Sequence, residues 1–446
     1  MESLPEVPGG LAGAALSTWR LIYDPAGLMR DLSARHGPTF RMALLDGPSV
    51  VTGDPALIGA IFGGDQELFD APNEIVGPLV GEGSIVLAGG VRHKRKRKLM
   101  APPFHGARMR TYGRIIADAA SRHADALVVG SEVAVLDVTQ RISLEVIIRA
   151  VFGVRDAARV EAFRETISRN VAGFPAWLMF LPVLHRDLGG IGPWARYRET
   201  VGAFVALLRE EVERGRAEAG EAREDILAML LAARDEDGAP MPDDEVIDEL
   251  RTLVIAGHET TATTLGWALW QLHRNPTVLA RLREELATLG PSEPGAGPDP
   301  ERLAKLPYLA AVCDETLRLH PIVPVFRRRL VKDAVLAGRK FPAGTTLHPS
   351  VLITHFDPTI YTDPTTFAPE RFLERKFTPS EFLPFGGGNR RCVGAAFANY
   401  EMQIALGTVM AAHRFELVSH APIRLALNGV TTRPVGGITL RYTGRA

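Results

Sequence analysis

The chain has 446 residues, 46% hydrophobic and 23% charged, with a formal net charge of −1, so it can bury a large core. Near-neutral charge excludes a global attraction to nucleic acid or an anionic membrane; any such attraction has to be local. Only two cysteines occur, Cys313 and Cys392, which excludes a disulfide framework and makes a cytoplasmic location the simplest expectation.

The N-terminal stretch Met1–Gly13 carries Glu2, Glu6, Pro5 and Pro8 and lacks the basic region of a signal peptide. A spanning helix needs roughly 20 apolar residues. Gly9–Trp19 and Phe174–Leu184 fall short of that, the second being broken by Pro175 and Pro182, so no membrane anchor is expected. Up to about residue 65 the pattern mixes a short helix, Ala26–His36, with strand-like pieces at Thr39–Met42 and Ser49–Val51. Phe69–Gly90 is punctuated by Gly77-Pro78, Gly81, Gly83 and Gly89-Gly90, and these breakers predict a long loop. Loops of that length are usually functional.

Arg92–Lys98 is the densest basic run of the chain. By composition alone it fits a nucleic-acid patch or a solvated face. His93 and Arg97 are four apart and share one helix face. From Tyr112 to Gly215 the pattern is helical, interrupted at Gly130 and by the aromatic, proline-containing stretch 171–182.

Asp243 opens an apolar-periodic run that continues to Asn275-Pro276, acidic in its first turn and basic in its last. Some 32 residues at 1.5 Å each give a helix of about 48 Å, long enough to cross the molecule. Its middle reads Ala256-Gly257-His258-Glu259-Thr260-Thr261, poor helix chemistry that predicts a local functional distortion.

The proline- and glycine-rich stretch 287–300 looks like a domain boundary, but the next motif has to fold against the cysteine loop, so no boundary is drawn. Glu315 and Arg318 share a helix face amid Leu309, Val312, Cys313, Leu317 and Leu319, which predicts a buried ion pair in need of further partners. Cys313 reads as a small core hydrophobe and His355 as structural. Near the C-terminus, Val430-Thr431-Thr432 sits in a turn between short strands.

Phe385–Gly394 places Cys392 in a glycine-rich turn just before a helical pattern, Ala395–Phe415. Unpaired N–H groups and the helix dipole favour a thiolate there, so Cys392 is a candidate metal ligand. Gly388 and Gly394 leave room for N–H groups to turn towards the sulfur; Phe385 can screen it from water and Arg390 can meet an anion.

Phe385, Gly388, Arg390, Cys392 and Gly394 form the pattern Phe-x-x-Gly-x-Arg-x-Cys-x-Gly, which resembles the haem-ligand loop of the cytochrome P450 family. Three further motifs occur in family order: His93 with Arg97, the Ala256–Thr261 sextet, and Glu315 and Arg318 with Pro369-Glu370-Arg371-Phe372. The resemblance implies a single domain over residues 1–446, mainly α with β-rich parts near 37–65, 325–350 and 415–443. Haem b is expected between the long distal helix and the helix after the cysteine loop.

The same resemblance makes Cys392 the iron ligand and assigns His93, Arg97 and Arg328 to the haem propionates, with Arg327 and Arg329 as alternatives to Arg328. Ala256 and Gly257 would leave room for O2, Thr260 would donate a hydrogen bond to the reacting oxygen, and Glu259 would relay protons. Glu315, Arg318 and Arg371 form the implied buried network. Ile75, Leu79, Val86, Phe174, Ala256, Val323, Val325 and Thr431 line the implied pocket, under a mobile lid at 171–182.

The implied activity is insertion of one atom of O2 into a C–H or double bond of a hydrophobic substrate, such as a terpene, steroid, fatty acid or macrolide-like molecule. Electrons would come from NAD(P)H through a separate ferredoxin or flavodoxin-type donor. That donor would dock on a basic face made by Lys94, Arg95, Lys96 and Lys98. A monomer without nucleic-acid binding is expected. A peroxide-driven hydroxylase is the rival enzyme and a haem sensor or carrier the rival outside catalysis; the Glu259–Thr260 couple argues against both.

Overall fold

The longest apolar-periodic run becomes one continuous helix, Asp243–Arg274, in the computed structural model of the chain. The structure describes all residues except 1–3, 8, 46, 65–66, 107, 175–177, 179–184, 187–188, 219–222 and 291–296. Most of the segment expected to form a lid therefore lies outside the described residues, as do parts of the stretch 287–300.

This distal helix starts after Pro242 with Asp243, Asp244 and Glu245 in its first turn, and Asn275 ends it before Pro276 opens the next helix. Val246, Ile247, Leu250, Val254, Leu265, Trp267 and Leu272 are buried, and the helix packs along Val135–Phe152. The sextet does not break it. The Thr260 hydroxyl donates to the Ala256 carbonyl at 2.7 Å and Thr264 to Thr260 at 2.9 Å, so the threonines bond back within an intact ladder.

A proximal helix, Ala395–Ala412, comes after the cysteine loop and packs on Arg108–Asp125. With Val135–Phe152 and the distal helix, these two contribute to the main hydrophobic core. No helix among the described residues is long and apolar enough to cross a membrane.

The β-rich part joins distant sequence. In the main sheet, Thr39–Leu44 pairs antiparallel with Gly47–Thr52 in the register Phe40↔Val51, and Gly47–Thr52 pairs parallel with Thr346–Pro349. Arg328–Leu330 and then Phe69–Asp70 extend the sheet antiparallel. Strands His413–Leu417 and Glu132–Ala134 both pair with Thr439–Arg445, and Leu425–Asn428 forms a hairpin with Thr431–Pro434.

Within the stretch expected to be β-rich, Pro55–Gly63 is helical, with Pro55 in its first turn and Asp54 accepting from the Ala56 N–H at 3.0 Å. The expected long loop also contains structure: a 3-10 turn at Glu74–Val76 and a short helix at Gly77–Val80. Glycine there serves close approach as well as turning. Gly81 has φ +86°, and a Cβ on it would come within 1.8 Å of an Asp248 carboxylate oxygen.

On the proximal helix, Glu401 is fully buried, and neither carboxylate oxygen has a hydrogen-bond partner among the described residues. Burial pushes its carboxyl up to about 8, against a downward pull from Ser143. The native state therefore holds a proton that the unfolded chain has released between about pH 4.5 and about 8, and stability falls as pH rises through that window. Glu401→Gln should remove that slope, at most about 1.4 kcal/mol per pH unit. Urea unfolding at several pH values measures it; a mutant-minus-parent difference that stays constant with pH refutes the assignment.

Candidate active site

The cysteine loop is held by backbone geometry. Gly386 and Gly388 have φ of +66° and +63°, and the Cys392 N–H donates to the Phe385 carbonyl at 2.9 Å. Phe385 is half-buried against the main core. Gly388 is required for a reason other than room around the sulfur: a Cβ there would lie 1.9 Å from the Phe62 carbonyl oxygen. At Gly394 an added Cβ would meet nothing within 4 Å.

The Cys392 side chain is accessible although protein surrounds it, so it faces an inward recess. Burial pushes the thiol up and outweighs the Gly394 N–H, Arg391 and Arg97, which pull it down. The helix end alone thus does not make a thiolate here; a bound metal cation would.

Behind the loop lies a buried brace. Glu315 and Arg318 are both fully buried and paired at 2.6 and 2.8 Å. Arg371 joins Glu315 Oε1 at 3.1 Å, and the Ala368 N–H donates to the same oxygen at 2.9 Å. Arg318 also donates to the carbonyls of His355, Pro364 and Thr366. Neutral His355, pushed down to about 3 by burial, completes the link: its Nδ1 donates to the Arg318 carbonyl at 3.0 Å, while its Nε2 accepts from the Leu383 N–H at 3.1 Å. Leu383 lies two residues before Phe385, so the brace reaches the cysteine loop through His355.

On the distal helix, Ala256 is exposed between half-buried Ile255 and Gly257, with buried Val254 and His258 two positions away on either side. Gly257, expected to face the same space, points elsewhere: a Cβ on it would meet Ile147 Cδ1 at 2.7 Å, so its smallness serves the contact with Val135–Phe152. His258 is buried and its Nδ1 donates to the Val254 carbonyl at 2.8 Å. Glu259 accepts from the Asn428 side chain at 3.4 Å. Asn428 ends a hairpin strand, and Thr432 anchors that hairpin to the Pro321 and Ile322 carbonyls, each at 2.8 Å.

Four basic side chains form one electrostatic cluster. His93, Arg97, Arg328 and Arg390 lie within electrostatic reach, and burial, then the Arg390, Arg97 and Arg328 charges, pushes His93 down to about 4. Arg97, Arg328 and Arg390 donate to the carbonyls of Arg391, Arg327 and Ala88, and none forms an ion pair with a described carboxylate. Within the arginine triplet, Arg328 lies within electrostatic reach of His93 and Arg390, and Arg329 pairs with Asp70 at 2.6 Å.

The basic run does not form one exposed face. Lys96 shares the buried side of its helix with His93 and reaches Glu245 at 2.6 Å and Glu249 at 3.1 Å on the distal helix. Arg95 pairs with Asp235 and Lys98 with Glu236. Three-residue spacing from His93 puts Lys96 inside, and two carboxylates one helical turn apart make that burial tolerable.

Among the pocket candidates, Val86, Val323, Val325 and Thr431 are half-buried, and Thr431 Oγ1 donates to the Asn428 carbonyl at 3.1 Å. Ile75 and Leu79 pack against a satellite core made by Phe174, Leu178 and Tyr197. Phe174 is a buried member of that core, its ring centroid 4.5 Å from that of Tyr197. Sequence reasoning misses Asn428 and the bridging part of His355, whose partners are remote in sequence.

Residues 17–440 match the family model described as Cytochrome P450. Cytochrome P450 135B1 of Mycobacterium tuberculosis is 35% identical over 414 residues, 91% of this chain and 85% of that protein. Cytochrome P450 138 of Mycobacterium bovis is 34% identical over 412 residues, covering 90% and 88%. The structure of retinoic acid-bound cyanobacterial CYP120A1 superposes with a TM-score of 0.84 at 25% identity, covering 99% of this chain and all of that one.

The chain belongs to the cytochrome P450 family. It has the P450 fold, and the family's cofactor is haem b, with electrons drawn from NAD(P)H through a partner. The site fits that cofactor. A soft sulfur ligand faces the recess, and three guanidinium groups without described carboxylates suit the two propionates of this P450's haem. Removing Arg318 from the brace, as Arg318→Met, leaves the buried Glu315 carboxylate only Arg371 and the Ala368 N–H and should cost about 3–5 kcal/mol. Denaturant unfolding of the haem-loaded protein tests this; a loss under about 1 kcal/mol means the pair is dispensable.

Proposed function

We propose that this P450 inserts one atom of O2 into a C–H or double bond of an apolar substrate, using electrons from a ferredoxin or flavodoxin-type donor. The observations that carry the reading are exposed Cys392 in its glycine loop and exposed Ala256 beside Glu259 and Thr260 on the distal helix, which would face each other across the haem. When bound through Cys392, haem supplies the iron chemistry that activates O2. His93, Arg97, Arg328 and Arg390 would hold the propionates, and Phe385 would shield the sulfur.

Thr260 keeps its hydroxyl proton on the Ala256 carbonyl, one bond rotation from the recess. Glu259, held by Asn428, is the acid from which that proton is replaced. Val86, Val323, Val325 and Thr431 support an apolar substrate of the terpene, steroid, fatty acid or macrolide-like class. The relative that binds retinoic acid is in keeping with a lipid-like guest. For the electron donor, the candidate surface narrows to exposed Arg391 beside Cys392 and the outer side of the helix Gly90–Met100. Lys96 is excluded from it by burial.

Two measurements test the proposal. Reconstituted protein should give a ferrous carbonyl spectrum of the thiolate type, abolished in Cys392→His; a histidine-type spectrum in the parent defeats it. With a ligand that shifts the Soret band, a reductase system and NAD(P)H, Thr260→Ala should divert electrons to hydrogen peroxide and lower product per NAD(P)H by roughly tenfold or more. An unchanged ratio of product to peroxide contradicts the relay, and equal turnover with hydrogen peroxide alone favours the peroxide-driven rival.

A further inference from the structure

In its second and third turns the distal helix carries polar side chains that the proposed chemistry does not use, Asp248, Glu249, Arg251 and Thr252. These four grip one short stretch of chain. Asp248 accepts from the Gly83 N–H at 2.8 Å. Thr252 donates to the Asp248 carbonyl and receives the Ser84 hydroxyl at 2.7 Å. Glu249, fully buried, accepts from the Ile85 N–H at 3.1 Å through one oxygen and from Lys96 at 3.1 Å through the other. Arg251 reaches the Pro78 carbonyl at 2.6 Å, and the Tyr197 hydroxyl donates to the same carbonyl at 2.7 Å.

The gripped stretch touches both halves of the site. Val86 is a pocket candidate, and the Ala88 carbonyl accepts from Arg390 of the cysteine loop at 2.5 Å. Lys96 lies on the helix that carries His93 and Arg97. A lysine that is 1% exposed and a glutamate that is fully buried are costly apart and tolerable together. Their pairing therefore fixes the rotation of the helix Gly90–Met100 against the distal helix.

We propose that Lys96 and Glu249 are positioning residues: with Asp248 and Thr252 they clamp residues 83–88 into a fixed wall shared by the substrate pocket and the Arg390 end of the cysteine loop. The wall's place is then set by the distal helix, although its own glycine-rich sequence would leave it loose. The assignment of that wall to a pocket rests on the function proposed above; the clamp itself does not.

The test uses haem-loaded full-length protein. Hydrogen exchange of peptides spanning 79–90 and the ratio of dissociation constants for 4-phenylimidazole and imidazole, from Soret shifts, are compared with the parent. Lys96→Met should speed exchange at 83–88 by about tenfold or more and change the azole ratio by about fivefold, because it leaves Glu249 buried without its cation. Adding Glu249→Gln removes that charge, keeps an acceptor for the Ile85 N–H, and should return exchange to within about threefold of the parent.

Lys94→Met, on the exposed side of the same helix, should change neither readout. Should Lys96→Met not fold, Ser84→Ala carries the exchange measurement, with the same direction expected. Exchange at 83–88 that stays at the parent rate, or that rises equally in Lys94→Met, overturns the clamp. A parent protein whose ferrous carbonyl lacks the thiolate spectrum instead defeats the haem reading, and the exchange result still decides the clamp.

Discussion

The Glu315–Arg318 pair is the constraint on which the site depends. Two fully buried opposite charges are seldom a net source of stability, since desolvation can exceed their attraction. What they provide is position. Arg318 spreads its donors over one carboxylate and the carbonyls of His355, Pro364 and Thr366, so the end of the helix Val351–His355 and the irregular stretch at 364–366 are fixed to one helix. His355 passes that order to Leu383 and so to the turn that presents Cys392. A glycine-rich loop has little to hold it in place by itself; here the holding is done by a guanidinium group and an imidazole behind it.

The opposite wall is tied to the same brace. Trp267 of the distal helix stacks on His320 with centroids 3.9 Å apart and planes 4° off parallel, and Gln271 meets His320 Nε2 at 2.8 Å. His320 comes directly after the helix that carries Glu315 and Arg318. Both walls of the recess therefore register on Pro307–Leu319, one through a ring stack and the other through a charge network. Such double anchoring holds the cysteine loop and the distal helix to one common element, the kind of support a site that must orient reacting atoms requires.

Motif spacing makes the chemical positions legible because each motif is local: Cys392 in its turn, Glu259 beside Thr260, Glu315 three residues from Arg318. The distal helix is legible because 32 residues of one period and charged ends of the right sign agree. Periodicity tells which residues share a face but not what that face meets. Sequence alone therefore puts Lys96 outside although its helix buries it, and gives Gly257 to the recess although it packs on Ile147. The Asn428 contact with Glu259 crosses 169 positions, and no local pattern encodes it. The contact of Phe174 with Tyr197 is likewise remote in sequence, and no local pattern encodes it.

An anionic, metal-bearing guest suits the charge balance of these side chains. Burial pushes Arg328 down to about 10 and, with the neighbouring arginines, keeps His93 uncharged near neutrality. Arg97, Arg328 and Arg390 hydrogen-bond to backbone carbonyls, which satisfy donors but do not neutralise charge, and Asp70 acts on Arg390 only from a distance. A sulfur with a raised thiol lies in the same recess and needs a cation to ionise. A ligand with carboxylates at its rim and a soft metal at its centre meets both demands at once. Free carboxylates would answer only the arginines, and a bare metal ion only the sulfur.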